Sequence, residues 1–324
     1  MKTLDLQEEF INALSVKIPK KADLENKISD ILRIEKDSAY RRLSGKVNFS
    51  IREMGVLAKE FGISLDCLLR NNMEYLWVPL LLEQPQTQMS MDSLCDVMEA
   101  GVDVLSKITE EPTEAGCLYN SLPPEFFVHF PTLAKFMFFK WGHYFIGTEE
   151  FHNFSKWEIP ERVLVYMDKL KKGFEFEKMY YIWDNSLIWN VSWELDSLCK
   201  MHIVTQEEKN TIKEELKELL KRIEGFLNGN YVPHMRLPED VDFFVSTVSM
   251  GFIACYYDSK ERHSVSFRTS FSFAVVDDCD DSFYKMKEWI DSLKRMSTML
   301  SKGGRIERRL FFETQFNTID HILG

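Results

Sequence analysis

Apolar residues recur at helical spacing through the first seventy or so positions, in five short runs. Leu6, Phe10, Ala13 and Leu14 share one face and predict a helix over 4–16. Leu24, Ile28, Ile31 and Leu32 do the same for 23–32. After a break at Arg33-Ile34-Glu35, a third helix is expected over 36–44, stopped by Gly45, which tolerates positive φ. The fourth helix has the clearest start. Ser50 and Glu53 form a capping box, and Phe49 with Met54 has the spacing of a hydrophobic staple. Its inward face is Met54, Leu57, Ala58 and Phe61, and Gly62 ends it. A fifth begins at Ser64 and carries Leu65 and Leu68. This pattern predicts a compact all-α domain over 1–72.

Beyond the junction at Asn71-Asn72, a strand is expected over 74–82 and helices over 91–108, 131–144 and 160–172. Thr205 and Glu208 form a second capping box, opening a helix to 227 with Ile212, Leu216, Leu219, Leu220 and Ile223 inward. The period then changes to two. Val265, Phe267, Thr269, Phe271, Phe273 and Val275 alternate with Ser264, Ser266, Arg268, Ser270, Ser272 and Ala274, the pattern of a half-buried antiparallel strand. Its expected partners are 241–249 and 252–257, with 258–262 as a hairpin loop. Amphipathic helices over 282–300 and 305–323 close the chain. Residues 73–324 therefore read as an α+β domain, helices packed on a small antiparallel sheet.

Composition narrows the class. The 324 residues are 45% apolar and 28% charged, which excludes collagen-like and wholly disordered chains. The apolar run near 77–82 falls far short of a membrane span. The start, Met1-Lys-Thr-Leu-Asp, has no apolar leader, and the six cysteines (Cys67, Cys95, Cys117, Cys199, Cys255, Cys279) contain no C-x-x-C pair. A cytoplasmic protein with reduced thiols is expected.

Charge is unevenly placed. Residues 1–72 hold 13 Lys/Arg against 11 Asp/Glu, leaving 27 against 40 of the chain totals of 40 and 51 for the remainder. Between 33 and 52, six basic residues (Arg33, Lys36, Arg41, Arg42, Lys46, Arg52) face only Glu35 and Asp37. Such a patch is what phosphate-dominated binding requires, and a solvated helix face has the same composition.

Here the chain resembles a known family. Ile28-Ser-Asp-Ile-Leu-Arg-Ile-Glu-Lys-Asp-Ser-Ala-Tyr-Arg-Arg-Leu-Ser-Gly-Lys46, followed by Phe49-Ser-Ile-Arg-Glu-Met-Gly-Val-Leu-Ala-Lys-Glu-Phe-Gly-Ile-Ser-Leu-Asp-Cys-Leu-Leu69, is similar to the phage-repressor-like, XRE-type helix-turn-helix family. The resemblance covers 24–69 only. It implies a lambda-repressor-like helical domain whose third helix enters the major groove of double-stranded DNA. It places Lys36, Asp37 and Arg41 at base-reading positions, and Ser38 and Ser44 at positions that touch phosphates. Helical geometry agrees on the faces: 37, 40, 41 and 44 lie together, opposite 39 and 43. Arg41 suits bidentate contact with guanine and Asp37 suits the cytosine amine, while Arg42 and Lys46 flank the helix towards phosphates. The chain departs from the family at Arg33, where glycine is usual, at Glu35, in place of a Ser or Thr cap, and at Glu25.

No enzymatic motif accompanies this segment. The chain has no G-x-G-x-x-G, Walker A, G-x-S-x-G or H-E-x-x-H sequence, and its seven histidines lack ligand spacing. The acidic run 277–281 lacks the glycine and distal glutamate of a calcium loop and reads as a cap for the helix after it. No catalytic group, cofactor or metal is expected. Residues 126–193 hold 20 aromatics, a density that suits a core, a subunit interface or a ligand pocket, and Lys135, Lys140 and Trp141 offer groups for an anionic aromatic ligand. The resemblance implies a bacterial one-component transcriptional regulator. In it, 73–324 would form a homodimer and sense a small-molecule effector. The alternative is an adaptor whose helical module binds protein rather than DNA.

Overall fold

A computed structural model describes residues 6–65, 68, 90–108, 113–174, 176–230, 240–259, 263–269, 274–277, 280–302 and 304–324. The chain divides into two compact units, Met1–Val78 with Cys279–Ser282, and Pro79–Asp278 with Phe283–Gly324.

In the first unit, α1 (Leu6–Lys17), α2 (Lys21–Leu32), α3 (Lys36–Leu43) and α4 (Ile51–Phe61) surround one core. Phe10, Leu14, Leu24, Ile28, Ala39, Leu43, Phe49, Met54, Leu57 and Ala58 are buried in it. Phe10 and Phe49 meet edge-on with ring centroids 5.6 Å apart. The Ser50–Glu53 capping box forms in both directions, and Gly62 takes the left-handed conformation at the helix end. Of the fifth expected helix, Leu65 and Leu68 are described and pack against this core. The junction and the strand expected over 74–82 lie outside the described residues.

The second unit is built on a seven-stranded sheet in the order β6-β5-β4-β1-β2-β3-β7. Its strands are β1 (Thr113–Tyr119), β2 (Lys178–Asp184), β3 (Val241–Ser246), β4 (Phe252–Ser259), β5 (His263–Thr269), β6 (Ala274–Asp277) and the two-residue β7 (Thr298–Met299). Its helices are α5 (Met91–Ile108), α6 (Pro124–Phe127), α7 (Pro131–Phe145), α8 (Glu161–Lys172), α9 (Leu187–Lys200), α10 (Gln206–Leu227), α11 (Asp280–Met296) and α12 (Arg305–Leu323). Helices and sheet together make the expected α+β composition.

The sheet is mixed, not the small antiparallel sheet expected. β1, β2 and β3 run parallel, and β4, β5, β6 and β7 complete it antiparallel. The segment near 241–249 pairs with β2 and β7 rather than with the alternating strand. The parallel centre escaped notice because β2 is buried on both faces beyond Lys178, which erases alternation.

The alternating run is also corrected: it is two strands. β5 and β6 pair antiparallel, with Val265 opposite Asp277 and Phe267 opposite Val275. Odd positions pair with odd positions, so β5 and β6 alternate in the same phase.

The two faces of the sheet carry separate cores. Ala115, Cys117, Tyr181, Trp183 and Phe243 face the larger one, shared with α6–α10 and α12. Leu118, Tyr180, Ile182, Phe244 and Tyr256 face the smaller, where Phe283 and Ile290 of α11 are buried.

Candidate functional site

The turn between α2 and α3 sets the angle of α3. Arg33 sits in the left-handed region at φ 53°, and its N–H donates to the Ser29 carbonyl. The Ile34 N–H bonds the same carbonyl, and the Ser29 hydroxyl donates back to the Ile34 carbonyl at 2.6 Å. A locally hydrogen-bonded turn thus does here what glycine would do without strain.

On α3, Lys36, Asp37 and Arg41 are exposed, Ser38 is half-buried, and Ala39 and Leu43 enter the core. Arg41 Nε contacts Asp37 Oδ2 at 2.8 Å, with both side chains mostly in solvent. Tyr40 lies on this face, with Lys21 Nζ 4.9 Å and Lys46 Nζ 5.5 Å from its ring centroid. Ser44, at the helix end, donates its hydroxyl to the Arg41 carbonyl.

Arg42 is placed differently. Its Nε and Nη2 donate to both oxygens of Glu53, at 3.3 and 2.9 Å, and Nη1 donates to the Ser38 carbonyl at 3.2 Å. Only 19% of its side chain is exposed. Glu53 is also the carboxylate of the α4 capping box, accepting from the Ser50 N–H at 2.8 Å. Burial pushes the Glu53 carboxyl up, but its bonds from Ser50 and Arg42 outweigh this and hold it below the usual range. One carboxylate thus caps α4 and ties α3 to it.

The second unit contains a cavity of about 270 Å³ on the larger-core face of the sheet. Its floor includes Cys117 and Tyr119 of β1, Tyr181 of β2, Cys255 and Tyr257 of β4, and Arg268 of β5. Leu94, Met98 and Val102 of α5, Glu125 of α6 and Tyr166 of α8 supply the walls. Arg162 of α8 holds α5 through Asp92, Asp96 and Glu99. Glu125 Oε1 accepts from the Tyr181 hydroxyl at 2.9 Å. Burial drives the Glu125 carboxyl above the usual carboxylate range, against the opposing pull of its own backbone N–H and of that bond. Burial likewise pushes Tyr119, Tyr166 and Tyr257 up. Cys117 and Cys255 are direct partners across β1 and β4, and both are free thiols.

The lysines proposed for an anionic ligand lie elsewhere. Lys140 pairs with Glu194, and Lys135 Nζ stands 4.6 Å over the Phe154 ring. Neither lines the cavity. Sequence reasoning passed over Glu125, although it is the one acidic residue in the apolar stretch 122–130. Among the described residues no cluster fits a metal ion, and no helix is long and apolar enough to cross a membrane. No family model, characterised protein or solved structure matches the chain.

Proposed function

We propose that this chain is a cytoplasmic transcriptional regulator that binds double-stranded DNA through α3 and works as a homodimer. Lys36, Asp37 and Arg41 read base edges, while Ser38, Ser44 and Lys46 meet phosphates; Arg42, expected from the sequence among the phosphate contacts, is instead turned inward to Glu53. The observation that carries this reading is the surface of α3. Lys36 and Arg41 are exposed on a helix set by a tight turn, Lys46 is exposed just beyond its end, and Lys21 adds a fourth cation beside Tyr40. Asp37 does not cancel Arg41. An ion pair this exposed is worth about 0–1 kcal/mol, less than a bidentate guanine contact at roughly 1–3 kcal/mol. The enclosed cavity of the second unit supplies a place for a small-molecule effector.

Selection of binding sites from random duplex DNA at low salt tests the reading. An enriched sequence that loses enrichment with Arg41→Ala is expected, and no enrichment overturns it. One observation favours the adaptor alternative: Tyr40, Val47 and Ile51 are exposed apolar side chains near α3. Loss of a protein partner on Ile51→Ser, without any DNA enrichment, would establish that second reading.

A further inference from the structure

The Glu125 carboxyl is enclosed, and its protein partner in the cavity is a neutral phenol. Among the described residues no lysine, arginine or histidine forms an ion pair with it, and its hydrogen bonds come from its own backbone N–H and the Tyr181 hydroxyl, both neutral. An ionised carboxylate without a cation is costly in an apolar enclosure. Aromatic rings surround the same space. Tyr119, Tyr166, Tyr181 and Tyr257 line it with Phe174 and Phe176, the last stacked on Tyr257 at 5.9 Å. Ring faces carry negative charge density and attract an organic cation. Three basic residues line the cavity, His129, Lys171 and Arg268. Lys171 is paired with Asp168 at 3.1 Å, and Arg268 on the floor, an exposed residue, works against the burial that pushes the Tyr166 and Tyr257 hydroxyls up rather than pairing with Glu125. Among the described residues the Glu125 carboxyl is therefore left without an ion-pair partner, and a positive group on a ligand would supply one. The size is also bounded: a cavity of ~150 Å³ holds benzene, so about 270 Å³ holds roughly ten non-hydrogen atoms.

We propose that this cavity binds a small organic amine with an aromatic or alkyl body, its ammonium group seated at the Glu125 carboxylate. The tyrosine and phenylalanine rings hold the body and part of the charge. This deepens the effector role proposed above and rests on it only for biological meaning, since the binding itself involves no DNA.

The test titrates the full chain calorimetrically with three near-isosteric probes: phenethylamine, 2-phenylethanol and 3-phenylpropionate. The amine is expected to bind at least tenfold more tightly than either the alcohol or the acid. Glu125→Gln is expected to remove that preference while leaving the alcohol within about twofold of its wild-type affinity. A wild-type protein that prefers the acid, shows no preference, or takes up none of the probes at millimolar concentration overturns the proposal. The wild-type comparison stands even if Glu125→Gln misfolds. In that event Tyr257→Leu, which removes one ring and no charge, is expected to lower amine affinity more than alcohol affinity; equal losses count against the proposal. Failure of random-DNA selection would refute the DNA reading and leave amine binding intact, so the two outcomes are separable.

Discussion

Replacing Arg42 by alanine separates two roles for one side chain. As a phosphate ligand, Arg42 contributes to DNA binding and little to the fold. As a tie between α3 and α4, it contributes to the fold first. The geometry favours the tie: all three of its hydrogen bonds go inward, two to Glu53 and one to the Ser38 carbonyl. Hydrogen bonds involving a charged group are worth about 1.5–3 kcal/mol, and a fifth of each side chain remains exposed, so screening trims the value. We expect a coupling of about 1–2 kcal/mol between Arg42→Ala and Glu53→Ala in a double-mutant cycle. At 1.4 kcal/mol per factor of ten, amides of α3 and α4 should exchange about 5–30 times faster in Arg42→Ala. Hydrogen exchange with mass spectrometry on the full chain measures this directly. The pH dependence has a fixed sign. Because the Glu53 carboxyl is held below its unfolded value, its contribution is complete above the unfolded pKa and is lost as pH falls through the folded one. Unchanged exchange in Arg42→Ala, together with a salt slope of DNA binding flattened by about one unit on every sequence, would refute the tie and establish the phosphate role.

Arg41→Ala should weaken specific DNA binding by about 1–3 kcal/mol and relax one base position, with exchange in α3 unaltered, as quantitative binding to single-substituted sites will show. Arg33→Gly should stabilise the first unit by roughly 0.5–1 kcal/mol, because glycine takes the φ of 53° without strain; slower exchange over α2 and α3 is the readout, and faster exchange would contradict it. Gly116→Ala should destabilise the second unit by about 1–3 kcal/mol in urea titrations, since a Cβ there would stand 2.3 Å from a Tyr256 ring carbon and 2.5 Å from Tyr180. Residues 73–324 alone should scatter light as a homodimer at tens of micromolar; a monomer would remove the basis for pairing on two half-sites.

What the sequence disclosed depended on whether a signal was local. Both capping boxes form as read from Ser50–Glu53 and Thr205–Glu208, because the motif is complete within four residues. Helices over 91–108 and 305–323 carry the bounds expected, since their apolar stripes are uninterrupted. The strands that organise the second unit were hidden. β2 has no polar face to mark its period, and its neighbours in the sheet are separated from it by long helical connections. β5 and β6 read as one strand because odd positions pair with odd positions, so both strands alternate in the same phase. The cavity was hidden for a different reason. Glu125, Tyr181, Cys255 and Arg268 come from four elements, and nothing in the linear order brings them together. Arg42 shows the limit on a single helix: its position on the surface of α3 was legible, but its partner Glu53 lies eleven residues on and already serves as a cap.

The pairing of charges in the two units bears on how such a regulator would meet DNA. The second part of the chain carries the acidic excess, and its cations are largely engaged. Lys140, Lys209, Lys213, Lys217, Lys287 and Lys302 each hold a carboxylate. Lys209 is almost wholly buried against Asp196. Cations neutralised in this way have little free charge to offer phosphates, and the surplus carboxylates repel them. At the α3 face, by contrast, neither Lys36 nor Lys46 forms an ion pair among the described residues, and Lys46 lies against the Tyr40 ring. Arg41 has a partner that solvent already weakens. A polyanion approaching this chain is therefore drawn to the α3 face and turned away from the larger unit. That orientation suits the reader helix proposed for α3 and keeps clear of DNA the unit proposed to dimerise. The steering is electrostatic, so it should fade with salt, and association with DNA should slow steeply between low and physiological ionic strength even where the sequence preference is retained.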